Sequence, residues 1–216
     1  MPILGYFATA VAAYLLGSIP TGFLVGKARG IDIRTVGSGN IGATNVVRSL
    51  GKGPGTLVLL ADALKGWVAV QVVAPLIARL VSGAPAPDLE DYLRIVAAIT
   101  VILGHNYTCW LGFKGGKGIA TSAGVLLALV PWALLIIVGV WILAFSITRY
   151  VSVGSIAASF TLPFATWFTT SPHDAGLTAV TAALGVLAIC KHRRNVQRLL
   201  DGTEHRVQFK KREAAP

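Results

Sequence analysis

Charge is scarce in this sequence. Of 216 residues, 13% are Asp, Glu, Lys or Arg, about half the share that a soluble domain usually carries. With 54% hydrophobic residues and a mean hydropathy of +0.69, an ordinary soluble domain is excluded. Acidic residues number nine, and no two or three have a spacing that would hold Mg²⁺ or Zn²⁺. We therefore expect no metal site. The two cysteines, Cys109 and Cys190, lie far apart without a CxxC or histidine spacing. Each reads as a small packed residue, not as a ligand or disulfide partner. No GxSxG or cysteine–histidine pairing signals a covalent nucleophile. No internal repeat supports an inverted-repeat transporter, and no nucleic-acid-binding motif accompanies the basic residues.

What is present is a series of apolar runs close to the roughly 20 residues a helix needs to cross a bilayer. Seven spans fit best, near 4–26, 55–80, 92–111, 118–130, 132–148, 153–170 and 175–190. The first has neither a basic n-region nor a clear cleavage site, so it reads as retained. The expected fold is all-α, a polytopic integral membrane protein of about seven transmembrane helices. No extramembrane segment is large enough to fold alone, so residues 1–216 form one membrane-embedded domain. Sixteen of the 19 Lys and Arg residues fall in segments 27–54, 114–117, 149 and 191–212, whereas 81–91 holds Asp88, Glu90 and Asp91 and no base. The positive-inside rule then puts the N-terminus outside and the C-terminus in the cytoplasm, with 191–216 a basic cytoplasmic segment. Its end, Lys210 to Arg212, reads as a contact for anionic lipid. Gly22 and Gly26 form a GxxxG that marks close helix packing.

Four polar clusters land on the cytoplasmic side, as the walls of one site. The first is Gly37-Ser38-Gly39-Asn40-Ile41-Gly42-Ala43-Thr44-Asn45-Val46-Val47-Arg48, preceded by Gly17 to Gly22. It has almost nothing to pack into a core, and its glycines, hydroxyls, amides and guanidinium suit an anion cradle. The second runs from Gly104-His105-Asn106 to Lys114-Gly115-Gly116-Lys117-Gly118-Ile119-Ala120-Thr121. Here glycines admit a phosphate to the backbone, Lys117 adds a point charge, and the apolar run behind makes a helix N-terminus. It is not a Walker A motif. The third is Arg149-Tyr150-Val151-Ser152, and the fourth is His192 to Arg198, leading to Gly202-Thr203-Glu204. His192 and Asn195 share a face if the last helix continues past Cys190. The histidine serves as a general base, as an orienter or as a helix-end cation. Asp62 and Lys65, one turn apart inside the second span, either neutralise each other or send Lys65 toward the cytoplasmic site.

The segments GSIPTG, GSGNIGATNVVR, GHNYTCWLGFKGGKGIAT and HRRNVQRLLDGTEHR together resemble the three signature motifs of the PlsY family, in family order and over nearly the whole chain. Those are bacterial acyl-phosphate:glycerol-3-phosphate acyltransferases. The resemblance implies a seven-helix enzyme of the bacterial cytoplasmic (inner) membrane with its active site facing the cytoplasm. It implies no cofactor, no metal and no direct need for CoA or acyl carrier protein. The substrates would be acyl phosphate and glycerol 3-phosphate, the products lysophosphatidic acid and phosphate, and the reaction a step of phospholipid synthesis. Carried onto this sequence, the catalytic residues would be Ser38, Arg48, Lys114, Lys117, Ser152, His192 and Asn195. Gly37, Gly39, Asn40, Thr44, Asn45, Gly115, Gly116, Gly118, Thr121 and Glu204 would bind substrate. Thr108 stands where many members have proline, which changes a local bend and leaves the glycine–lysine segment intact. An organic-phosphate transporter is the competing expectation, since the same basic lining would serve it.

Overall fold

The structure, a computed structural model, describes residues 2–83 and 86–208; the basic end at Lys210, Lys211 and Arg212 lies outside the described residues. All regular elements among them are helical. They are α1 (Pro2–Ser18), α2 (Thr21–Ala28), α3 (Ala43–Leu50), α4 (Lys52–Val68), a π turn (Ala69–Val73), α5 (Ala74–Ser82) and α6 (Pro87–Asn106). A 3₁₀ turn (Cys109–Leu111) leads to α7 (Ile119–Leu129), α8 (Pro131–Thr148), α9 (Val151–Thr169), α10 (Ala175–Lys191) and α11 (Arg193–Leu200). The chain forms two compact units, Met1–Leu134 and Leu135–Pro216, and the division falls within α8.

Among the described residues, four helical stretches are long and apolar enough to cross a membrane: Ile3–Ala28, Lys52–Ser82, Pro131–Thr148 and Val151–Thr169. A fifth exists if α10 and α11, bent by 50° at His192, count as one. The other two expected spans are helices too, but α6 carries Asp88, Glu90, Asp91 and Arg94 in its first turns, and α7 has 11 residues. At 1.5 Å per residue α7 is about 16 Å long, roughly half the hydrocarbon core. Its end needs help, because a bare carbonyl in hydrocarbon is costly. Gln71, carried by the π turn, donates through Nε2 to the Ala128 carbonyl at 3.2 Å.

In the first unit α1 packs on α6, α4 on α7 and α3 on α4. The α4–α7 contact is a small-residue one: a Cβ on Gly66 would meet the Thr121 carbonyl, and one on Gly124 the Ala63 carbonyl. Gly26 approaches Ile31 and Ile33, and Gly22 lies against the Ile41 carbonyl and Val46 of α3. The 31–41 segment is better anchored than its composition suggests. Ile33, Ile41, Val46 and Val58 form a fully buried cluster, covered by Phe23, Val36 and Leu50. In the second unit α9 packs on α10, and Asp174 caps α10 by accepting from the Leu177 N–H at 2.8 Å. Helix α8 exposes Trp132, Leu135, Leu143 and Ile147, as a lipid-facing helix does. Both cysteines are free, and Cys190 is exposed rather than packed.

Candidate active site

In the first unit, the 31–48 segment is a braced loop followed by α3. Asn45 is its brace. Buried in the first turns of α3, it donates through Nδ2 to the Ile33 and Val36 carbonyls at 3.1 and 3.0 Å, and its Oδ1 accepts from the Ser38 N–H at 2.8 Å. Gly37 is required there: its φ is +59°, and a Cβ would collide with Asn45 Oδ1. Asn40 Oδ1 accepts from the Gly42 N–H at 2.9 Å, just before α3. These two asparagines, expected to touch substrate, spend those atoms on shaping the loop. Ser38, Gly39, Thr44 and Arg48 are exposed, Arg48 in the last turn of α3. Arg34 is occupied elsewhere. It grips Asp32 through Nε and Nη2, at 3.0 and 2.7 Å, and lies 4.7 Å above the Phe23 ring. Those side-chain bonds, with one from its own backbone N–H, pull the Asp32 carboxyl down to about 2.

The glycine–lysine segment lies along the end of α6. The Gly115 N–H donates to the Asn106 carbonyl at 3.2 Å and the Gly116 N–H to the His105 carbonyl at 3.0 Å. These two amides, expected to bind phosphate, are thus committed within the protein. Close approach is still what the glycines are for: a Cβ on Gly115 would meet the His105 carbonyl, and one on Gly116 the His105 ring. Gly118, at φ +80°, is the N-cap of α7, so a helix N-terminus follows Lys117 as expected. Lys114 is exposed and Lys117 half-buried. Thr121 is fully buried, with its carbonyl against Gly66 of α4. Behind this segment Asp62 and Lys65 do pair, at 2.9 Å, and Lys65 Nζ also donates to the Ile19 carbonyl at the α1–α2 break.

In the second unit the polar residues meet at Glu204. Its Oε1 accepts from Ser152 Oγ at 2.8 Å and Asn195 Nδ2 at 2.7 Å, and its Oε2 from Arg198 Nε at 2.7 Å. Burial pushes the Glu204 carboxyl up, but the bonds from Asn195, Arg198 and Ser152 outweigh it and hold it below its ordinary 4.5. The turn that returns Glu204 to α11 is closed by the Thr203 and Glu204 N–H groups, both bonded to the Arg198 carbonyl. Arg198 was legible only as one base among many. The Asp201–Gly202 pair after an apolar-ended helix is the signal for this reversal. Helix α10 does not continue through His192, as a shared face for His192 and Asn195 required. The chain bends there, and His192 Nδ1 lies 2.8 Å from the Ala188 carbonyl. A carbonyl only accepts, so Nδ1 carries the proton, and Nε2 is the acceptor of the neutral ring.

All-helical elements of membrane-crossing length, with glycine-rich and basic polar segments at their ends, define a helical integral membrane protein. Comparison with known proteins narrows this. The family profile described as "Glycerol-3-phosphate acyltransferase" matches residues 7–202. Glycerol-3-phosphate acyltransferases from a Synechococcus species and from Geobacter sulfurreducens are each 46% identical, covering 92% and 93% of this chain and 91% and 96% of their own. Among solved structures, PlsY, an integral membrane glycerol 3-phosphate acyltransferase, matches in its glycerol 3-phosphate form with a TM-score of 0.81 at 38% identity, over 94% of this chain and 96% of that one. Its lysophosphatidic acid form matches with a TM-score of 0.79 at 37% identity, over 94% and 95%. The chain belongs to the glycerol-3-phosphate acyltransferase family, of the PlsY type. The transporter expectation falls with that membership.

Proposed function

We propose that the chain moves a fatty acyl group from acyl phosphate to the 1-hydroxyl of glycerol 3-phosphate. The hydroxyl oxygen attacks the acyl carbonyl carbon, the bond from that carbon to the phosphate oxygen breaks, and lysophosphatidic acid and phosphate leave. The observation that carries this reading is the likeness, over nearly the full chain, to a PlsY structure solved in both a glycerol 3-phosphate and a lysophosphatidic acid form. Acyl phosphate is already activated, so positioning and charge neutralisation supply most of the acceleration.

Arg48, Lys114 and Lys117 neutralise substrate phosphate in this reading, with the first turn of α7 adding its dipole. Ser38 adds a hydroxyl donor, and Gly37, Gly39, Thr44, Gly115, Gly116, Gly118 and Thr121 shape the approach. Ser152 gives its hydroxyl proton to Glu204, so it presents an oxygen acceptor. An acceptor suits a glycerol hydroxyl better than a phosphate oxygen. Asn195, held by the same carboxylate, orients a polar group without charge. Glu204 and the asparagines Asn40 and Asn45 act by holding these groups. His192 orients, its Nδ1 held by the Ala188 carbonyl, and the hydroxyl proton passes to a phosphate oxygen of the substrate.

Seven apolar helical segments, counting α1 with α2 and α4 with α5, favour seven crossings, with the N-terminus outside and the basic segments cytoplasmic. One membrane-embedded acyltransferase in the bacterial inner membrane is supported by a family match that runs through both units. The test is direct. Purified protein in detergent and EDTA, given acyl phosphate and glycerol 3-phosphate alone, should form lysophosphatidic acid and release phosphate. No product there, with product from acyl-CoA or acyl carrier protein, would overturn the donor assignment.

A further inference from the structure

Asp62, Lys65 and His105 are buried ionisable side chains with no part in the reaction as proposed above. Charges inside a membrane span are costly, and a buried pair stabilises a fold little more than apolar residues of similar shape would. Their geometry gives them another use. Asp62 Oδ1 lies 2.9 Å from Lys65 Nζ, accepts from Thr21 Oγ1 at 3.1 Å, and lies 3.6 Å from His105 Nδ1. Lys65 in turn holds the Ile19 carbonyl, so the carboxylate is fixed by α2, by its own helix and by the α1–α2 break. The opposite edge of the His105 ring, at Nε2, faces Gly116 so closely that no side-chain carbon fits between them. The His105 carbonyl also accepts the Gly116 N–H. One residue therefore seats the glycine–lysine segment by both ring and backbone, and a carboxylate on α4 lies 3.6 Å from the ring's Nδ1, beyond hydrogen-bond reach, where its charge acts on the buried ring electrostatically.

We propose that Asp62 is a positioning residue for Lys117, acting through His105 and Gly116. It keeps Gly115–Gly118 seated on the end of α6, so that the lysine and the first turn of α7 stay aligned for phosphate. This rests on the reading of Lys117 as a phosphate ligand. Asp62→Asn alone leaves the Lys65 ammonium beside a neutral amide. It is therefore compared with Asp62→Asn/Lys65→Met, which removes both charges and keeps the packing. The full chain is purified in detergent, and kcat and the KM for each of the two phosphorylated substrates are measured beside Lys117→Ala.

Lys117→Ala should raise the KM for at least one substrate. Both Asp62 variants should raise the same KM about tenfold, while any KM that Lys117→Ala spares stays within about twofold. Adding His105→Asn to Asp62→Asn should bring no further rise, since the two act on one path. A merely structural Asp62 would lower the active fraction and hence kcat, with both KM values unchanged. That result in the charge-free double variant overturns the proposal, as do additive KM effects of Asp62 and His105. If Lys117→Ala moves a KM and the Asp62 variants do not, the positioning role alone fails. If Lys117→Ala moves neither KM, the reading of Lys117 fails and the positioning role goes with it.

Discussion

Asp62 and Glu204 are both carboxylates encircled by donors, one in each unit, and they are satisfied in different ways. Asp62 sits inside a membrane-crossing helix at 2% exposure and is met by a full counter-charge, the Lys65 ammonium. Glu204 follows the last helix and is met by two neutral donors and one guanidinium. In hydrocarbon a carboxylate needs a charge of opposite sign close by; beyond the helices the Arg198 guanidinium shares the task with amide and hydroxyl donors. The consequence is a division of labour. Around Asp62 the side chains lock backbone in place, whereas around Glu204 they orient Ser152 and Asn195, the groups proposed to meet substrate.

The largest effects should come from the first unit's cations. Arg48→Ala and Lys117→Ala each remove a charge proposed to neutralise the displaced phosphate, and kcat/KM should fall about 10²–10³-fold. Steady-state assays in detergent check this. Glu204→Ala should cost less, because it acts through others. It strips three donors of one acceptor, so a fall of about 10–10²-fold with a lowered Tm is expected. Glu204→Gln keeps an oxygen for Ser152 and Asn195 and should recover part of both. A Glu204→Ala defect larger than that of Lys117→Ala would place the reaction's main charge stabilisation in the second unit.

Proton addition makes the same comparison without mutation. The Glu204 carboxyl lies below its ordinary 4.5 in the folded protein. Its contribution to stability is therefore complete above pH 4.5 and is lost as pH falls through the lower folded value. Thermal melts in detergent should show Tm dropping below that pH in the native protein and less steeply in Glu204→Gln. Identical slopes would remove Glu204 as an acid-sensitive hub. His192→Gln should have a smaller effect, within about tenfold in kcat and with an unchanged pH profile, since an orienting group costs less than a proton acceptor. A lost pH limb in that variant would make His192 the base after all.

The helices that cross the membrane were legible because apolar runs need only be counted; α8 begins and ends within one residue of its expected limits. Helix α3 was not. The first six of its eight residues, Ala43–Leu50, fall in the segment read as an anion cradle, and so short a helix is marginal alone. Packing on α4 and burial of Val46 hold it. The bracing role of Asn45 was hidden for a related reason: its partners Ile33 and Val36 are 12 and 9 residues away, and no local period announces them. The chemistry of the clusters was legible as residue type, and the donor bookkeeping was not. Nothing in a run of glycines tells that the amides of Gly115 and Gly116 already belong to α6. The bend at His192 was equally hidden, because the residues on both sides read as helix.

The smallest effect should come from an exposed ion pair of the first unit, and it tests whether pairing geometry or burial decides function. Asp32 and Arg34 form a two-point contact, and Arg34 pulls the Asp32 carboxyl to about 2. By pairing alone they rival Asp62 and Lys65. Both are solvent-facing, however, and water and salt screen such a pair until it contributes little. The guanidinium is also turned onto Asp32 and the Phe23 ring, away from any role as a phosphate donor. Arg34→Gln and Asp32→Asn should therefore leave kcat/KM within about twofold, at low and at high ionic strength. A tenfold loss in Arg34→Gln that high salt abolishes would put Arg34 among the phosphate-steering cations, and its pairing with Asp32 would no longer separate it from Arg48, the base of this segment proposed to meet phosphate.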